Sequence, residues 1–303
     1  MNRHEPDTGE YDLQALQRQV LPESGPAPPS ARIAVGASTH PGLLRPNNED
    51  HFIVGRLSRQ ATVLATNLPA GYVPKEVEQS AHALAVADGM GGAAAGEVAS
   101  ALALSLGTSL TIEAARWHLE LDAPARTRLS ERVNEFFQII DRALTAHAQR
   151  DPGLSGMGTT LTVAYTVNFD ALIFHVGDSR AYVFQQQELR QVTRDETIAQ
   201  AMCDAGAIPA ESVANHPMRH VLTRAMGAGT GCGAAVSQVH LEPGACLVLC
   251  TDGLSDMIDD RTIARLLEEH QDPQRACDAL IDAALAAGGR DNVTVIVARY
   301  AEA

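Results

Sequence analysis

The chain has 303 residues, 45% of them hydrophobic and 20% charged, ordinary proportions for a soluble globular protein long enough to bury a sizeable core. Its formal net charge of −14 argues against nucleic acid as the main partner, because a phosphate backbone calls for a basic face. No run of about 18 apolar residues marks a membrane span, and the opening residues MNRHEPD lack the apolar core of a secretory signal.

Residues 1–30 are polar and end in Pro26-Ala-Pro-Pro29, which reads as a mobile tail with a short helix around Leu13–Val20. Ile33–Ser38 is a strand, His40-Pro-Gly42 a turn, and His51–Gly55 a second strand. Residues 57–82, with Leu68-Pro-Ala-Gly-Tyr-Val-Pro74 inside them, read as an irregular surface insertion. A partner or substrate contact near the site is the functional alternative. Strand 83–87 runs into a glycine corner, followed by helices over 93–110 and 124–150. The second helix carries Leu129, Val133, Phe136, Phe137, Ile140 and Leu144 as one apolar stripe.

Thr159–Val167, Ala171–Val176 and Ala181–Gln185 read as an antiparallel meander. A mixed stretch, 194–232, precedes strands at 236–240 and 246–250, two helices near 260–270 and 273–287, and a last strand, 293–298. Strands in runs and helices in pairs favour α+β with antiparallel sheets, in one domain over 31–303. The five cysteines show no metal-knuckle spacing, and an odd number does not suit a full disulfide framework. Cys246 and Cys250, in one strand, should lie roughly 13 Å apart and cannot bridge each other. Cys203 and Cys277 fall at helical positions and read as packing. A reducing cytoplasm is the expected compartment.

Glu49, Asp50, Asp88, Asp178, Asp252 and Asp291 share a setting: each stands at a strand end or in a tight turn. Hard divalent cations prefer such oxygen donors, whereas a single aspartate at a turn is as well explained by turn chemistry. The order of the strings RPNNED (45–50), VADGMGG (86–92), GTTLT (158–162), VGDSRAY (176–182), VLTRAMG (221–227), LCTDGLSD (249–256) and GGRDNVTV (288–295) goes further. Together, over roughly residues 32–300, they closely resemble the metal-dependent type 2C serine/threonine protein phosphatases in their bacterial form.

The resemblance implies an αββα sandwich of two antiparallel sheets flanked by helices. It also implies two Mn2+ or Mg2+ ions, with a third held more weakly. Asp88 would bridge the two, with the Gly89 carbonyl and Glu49 completing one site and Asp252 and Asp291 the other. Asp50 would hold waters of the ions, Asp178 would help hold the third ion, and Arg45 would bind the substrate phosphate. A metal-bridging hydroxide would then attack phosphorus in line, with no phosphoenzyme, to release serine or threonine. Phosphorylated proteins would be the substrates, a serine/threonine kinase the opposing enzyme, and the chain a monomer with no membrane or nucleic-acid partner. The alternatives are a non-catalytic regulatory or binding module of the same fold, and a phosphatase of small phosphoesters.

Three positions depart from the family pattern. Met90 stands where many eukaryotic members carry a proton-donating histidine, leaving that role to a water on a metal ion. His40 replaces a usual aspartate. Asp195-Glu196 replaces the usual Asp-His, with no expected consequence for metal binding. Ser179-Arg180 and Asp256 read as structural, with Asp178 and Arg180 free to pair across their turn. His216 and His220 have the spacing of a zinc helix, but Pro217 lies between them and the general-base glutamate is missing, so a zinc site is set aside. Residues 196–232 match the family's flap, where mobility and substrate selection are expected. No GxxxxGKS, GxxxxGKT or GxSxG string supports a P-loop enzyme or serine hydrolase.

Overall fold

Strands that are apolar at nearly every position need cover on both faces, and that requirement sets the architecture. The computed structural model describes residues 30–68, 73–91, 95–114, 121–229 and 233–303, so the expected tail and its short helix lie outside the described residues. In chain order it comprises β1 (Ala31–His40), β2 (Asp50–Thr62), β3 (Glu76–Met90), α1 (Ala95–Glu113) and α2 (Ala123–Arg150). Then follow β4 (Gly158–Thr159), β5 (Leu161–Val167), β6 (Asp170–Val176), β7 (Arg180–Gln185), β8 (Glu188–Gln191) and α3 (Ile198–Asp204). The chain ends with β9 (Ala235–His240), β10 (Cys246–Cys250), the single turn α4 (Asp252–Ser255), α5 (Asp260–Glu269), α6 (Pro273–Ala286) and β11 (Val293–Glu302).

One sheet has the order β1-β11-β10-β7-β8 and the other β2-β3-β5-β6-β9, with β4 attached to β3. The expected αββα sandwich is present. Side chains alternate between layers with the period of two that a strand imposes. In β10, Leu247 and Leu249 join the core between the sheets, whereas Cys246, Val248 and Cys250 join the core under α5 and α6. In β3, Leu84 and Val86 belong to the inner core, and Ala85 and Ala87 to the core under α1 and α2. Each fully buried leucine or valine among these contributes roughly 1.5–3 kcal/mol.

Helices α2, α5 and α6 start within a residue of where the sequence places them, whereas α3 and the single turn α4 were not expected. Asp122 caps α2 by accepting from the Ala125 N–H at 2.7 Å, and Asp272 caps α6 from the Arg275 N–H at 2.9 Å. The stripe on α2 is buried at Leu129, Phe137, Ile140 and Leu144 and half-buried at Val133 and Phe136. One described helix, α1, is long and apolar enough to cross a membrane by length and composition. It lies against β3 with Ala95, Ala99 and Ala103 in the core. Cys203, Cys246, Cys250 and Cys277 are free thiols, and Cys232 lies outside the described residues.

Two expectations are corrected. The stretch 57–82 is regular at both ends: β2 and β3 stay in register from Asp50↔Asp88 out to Thr62↔Glu76, as a two-stranded ribbon, and 63–68 and 73–75 are irregular. Polar cross-strand partners, Arg56 with Glu78 and Gln60 with Glu76, hold its outer part, so it lacks the apolar alternation that marks a half-buried strand. The ribbon grows away from Asp50 and Asp88. At about 3.3 Å per residue Thr62, the last residue of β2, lies roughly 40 Å along the strand from Asp50. The meander is also incomplete. β5 and β6 form a hairpin in one sheet, but Gly177-Asp178-Ser179 carries the chain into the other, where β7 pairs with β10 and β8. Because β7 is apolar on both faces, its pattern did not tell which sheet it joins.

The core ends at the Leu57↔Ala81 pair, where Ala81 is still fully buried. Replacing 58–80 by Asn-Gly, which suits a two-residue hairpin loop, is expected to shift the thermal midpoint by no more than a few degrees and to leave metal affinity unchanged. Circular dichroism melts and Mn2+ titration check this.

Candidate metal centre

Strand ends from both sheets meet at one edge of the sandwich, and each brings an acid. Asp50 opens β2 directly opposite Asp88, near the end of β3. Asp178 sits in the turn between β6 and β7, Asp252 follows β10, and Asp291 precedes β11. Thr251 Oγ1 donates to Asp50 Oδ2 at 2.7 Å and accepts from the Thr294 N–H at 3.0 Å, joining an acid of one sheet to the backbone of the other through one hydroxyl. Asn292 ties the 45–50 loop down. Its Oδ1 accepts from the Glu49 N–H at 2.8 Å, and its Nδ2 donates to the Pro41 and Asn47 carbonyls at 2.9 and 2.8 Å.

The glycine corner works by close approach. A Cβ on Gly89 would stand 2.1 Å from the Gly96 carbonyl oxygen, so only glycine lets α1 begin this near β3. The Gly89 N–H donates to the Glu49 carbonyl at 3.1 Å, and Ser100 Oγ, one turn into α1, donates to the same oxygen at 2.6 Å. Three segments are thus fastened around Glu49 before any ligand is considered.

The electrostatics are those of crowded anions. Asp50 is 3% exposed, and burial pushes its carboxyl up to about 7 against the Thr251 and Thr294 hydroxyls. Burial, then Asp256 and Asp291, push Asp252 to about 7 as well. Asp252 keeps one edge open to solvent, with 22% of its side chain exposed. Asp88 is held well above the usual carboxylate range by burial and then by Asp50, Asp252, Asp178 and Asp291 in turn. Asp178 is raised by burial, Asp252 and Asp195. Glu49 is raised by burial and partly restored by Arg45. Arg45 Nη2 meets Asp291 Oδ2 at 2.6 Å, but both side chains are exposed, so the pair is worth about 1 kcal/mol or less.

All the acids expected from the sequence therefore lie in one cluster, with Arg45 at its rim and Gly89 in its wall. Asp178 and Arg180, however, do not pair. Arg180 turns away and grips Asp195 through Nε and Nη2 at 2.9 and 2.7 Å. His40, in place of the usual aspartate, accepts the Gly42 N–H at 3.0 Å and so steadies its turn.

Two residues near the cluster were not expected there. His220 Nδ1 lies 3.3 Å from Asp256 Oδ2 and 3.8 Å from Asp252 Oδ2, so the flap brings an imidazole against the acids, and Asp256 faces the site. His216 instead accepts from the Met218 N–H in a local turn. The HxxxH spacing drew attention to both histidines for the wrong reason, and nothing local in the sequence pairs His220 with residues 32 and 36 positions on.

A family model described as protein phosphatase 2C matches residues 73–287. Over 268 residues the chain is 37% identical to the serine/threonine protein phosphatase PstP of Mycobacterium tuberculosis, an overlap of 88% of this chain and 45% of that protein. The chain thus spans less than half the length of that relative. With the serine/threonine phosphatase stp of Listeria monocytogenes it shares 31% identity over 212 residues, 70% of this chain and 82% of the relative. The solved catalytic domain of PstP in complex with two manganese ions superposes with a TM-score of 0.70 at 30% identity, over 90% of this chain and all of that one. With this sandwich, this acid-lined edge and these matches, the chain belongs to the protein phosphatase 2C family.

Proposed function

We propose that this chain is a metal-dependent serine/threonine protein phosphatase that hydrolyses phosphoserine and phosphothreonine in proteins by direct in-line attack on phosphorus, without a phosphoenzyme. The observation that carries this reading is the meeting of Asp50, Asp88, Asp178, Asp252 and Asp291 at one sandwich edge. The donor set is all oxygen, which suits Mg2+ or Mn2+ rather than a metal that prefers sulfur or imidazole. Asp50 Oδ1 is buried without a hydrogen-bond partner, and its neighbours repel it, so the site is short of positive charge and of donors. Divalent ions and their waters would supply both, so the residues fit them.

Asp88 would bridge two ions, with Glu49 and the Gly89 carbonyl completing one set and Asp252 and Asp291 the other. Asp178 would take part in a third, weaker site. When bound, such ions supply Lewis acidity and a hydroxide nucleophile at neutral pH. The side chains position the rest. Arg45, held to Asp291 only by an exposed pair, is free to turn its planar fork to phosphate oxygens. Asp50, with Oδ2 fixed by Thr251, offers Oδ1 to orient a water. Proteins phosphorylated by a serine/threonine kinase are the substrates.

Phosphate release from a phosphothreonine peptide tests this. Activity is expected with Mn2+, and its loss is expected with EDTA. Asp88→Asn should lower activity by more than about 100-fold, since even outer partners of metal ligands cost roughly 10–100-fold. Equal rates in all three conditions would sink the reading.

The raised carboxyls predict a pH dependence in the metal-free protein. These acids bind protons in the folded chain up to about pH 7 and release them near pH 4 when unfolded, so the folded state holds more protons between those values. Stability of the EDTA-treated protein should therefore fall as pH rises from about 4 through 7. Mn2+ should raise the melting temperature more at pH 8 than at pH 5, because binding displaces the same protons. Thermal melts across that range, with and without Mn2+, read both effects.

A further inference from the structure

The flap leaves and rejoins the body through a narrow neck. The Ile198 N–H donates to the Val221 carbonyl at 2.8 Å, Thr197 bridges Leu222, and the Thr223 N–H and Oγ1 donate to the Glu196 carbonyl at 2.7 and 2.9 Å. Glu196 also reaches the body. Its N–H donates to the Gly177 carbonyl at 2.7 Å, and its Oε2 accepts the Gly177 N–H at 3.1 Å. Its other oxygen takes Arg224 Nη1, while Arg224 Nη2 reaches the Gly233 carbonyl. Gly177 has φ +109°, and a Cβ there would stand 2.6 Å from Thr160 Cγ2, so the turn admits little adjustment.

The Glu196 carboxylate thus joins two things, Arg224 at the end of the flap and the residue before Asp178, while the Glu196 backbone holds Thr223 and Gly177. Four residues short of Arg224, His220 lies against Asp252 and Asp256. Beside it the flap exposes Met218 and Val221, at 40% and 39%, an apolar surface against which the chain flanking a phosphorylated residue can lie.

Resting on the phosphatase reading, we propose that Glu196, paired with Arg224, is a positioning residue that fastens the flap and the Asp178 turn into one unit and thereby determines affinity for phosphorylated peptides. Glu196→Gln keeps the side-chain shape and removes the charge. Glu196→His installs the family's usual residue and so tests the clasp in a chain expected to fold.

Hydrogen exchange on the metal-free protein reads the coupling without any activity. In both variants, amides of 197–204 and 221–224 and of the 177–179 turn should exchange about tenfold faster, the scale of one charge-assisted hydrogen bond, with β10 and β11 unchanged. Arg224→Gln should reproduce this, and the Glu196→Gln/Arg224→Gln double variant should add little beyond either single change. In turnover, KM for a phosphothreonine peptide should rise at least about fivefold more than KM for p-nitrophenyl phosphate, which carries no flanking chain to lie on the flap.

Faster exchange in the flap alone, additive effects of the two substitutions, or equal KM changes for the two substrates would overturn the proposal. An inactive parent protein with intact coupled exchange would instead count against the phosphatase reading and leave the mechanical unit standing.

Discussion

Carboxylates brought together in a buried setting repel one another, and much of the architecture outside the core serves to hold them in place despite that. Asp88 feels four other aspartates in a half-buried setting, an arrangement that a chain without a ligand would not hold unless its backbone left no alternative. The backbone leaves none because the acids stand on strand ends. Asp50 and Asp88 are fixed opposite each other by the same register that aligns thirteen pairs along β2 and β3. Asp252 and Asp291 flank β10 and β11, which are buried almost throughout. Rigid elements are the better platform for a site that must hold geometry against repulsion.

The polar groups around the acids have the same purpose. Thr251, Thr294 and Asn292 touch the 45–50 loop, the end of β10 and the start of β11, and each spends its hydrogen bonds on keeping these segments mutually fixed. None is an obvious ligand. They explain why the strings TDG and RDN carry polar residues at fully buried positions that would otherwise favour aliphatic ones.

Much of this was legible in the sequence, for a physical reason. An acid ending an apolar run and followed by glycine is a local pattern, and Asp88, Asp252 and Asp291 each show it or its mirror image. The strands were equally readable, since β10 and β11 have few ways to be anything else. What stayed hidden depends on closure of the chain over long separations. Whether β7 continues one sheet or crosses to the other follows from Gly177 and from the cover on both faces, not from its own residues. Arg180 finds Asp195 rather than its near neighbour Asp178, because the crossover turns the two side chains apart. The outer ribbon of β2 and β3 is held by polar pairs whose alternation resembles that of a loop. His220 reaches Asp256 only because the flap folds back on itself.

The same division separates the two halves of the proposed chemistry. The acids sit on strands whose opening would require unfolding the sandwich. The flap buries little: Ala199 is the single buried residue of α3, and the turn at Ala210–Asn215 has none. A segment with so few buried contacts belongs to the low-stability end of the molecule and opens at small cost. Its downstream return is pinned from α2, where Asp141 accepts the Gly227 N–H and Asn134 the Ala234 N–H, both at 2.8 Å. Its base is pinned by Glu196. Between these fixings, the residues proposed to meet substrate are free to adapt, while those proposed to hold metal are not. A phosphatase of the proposed kind needs that separation, and here Glu196, through its backbone and its carboxylate on Gly177, is one connection between the two parts.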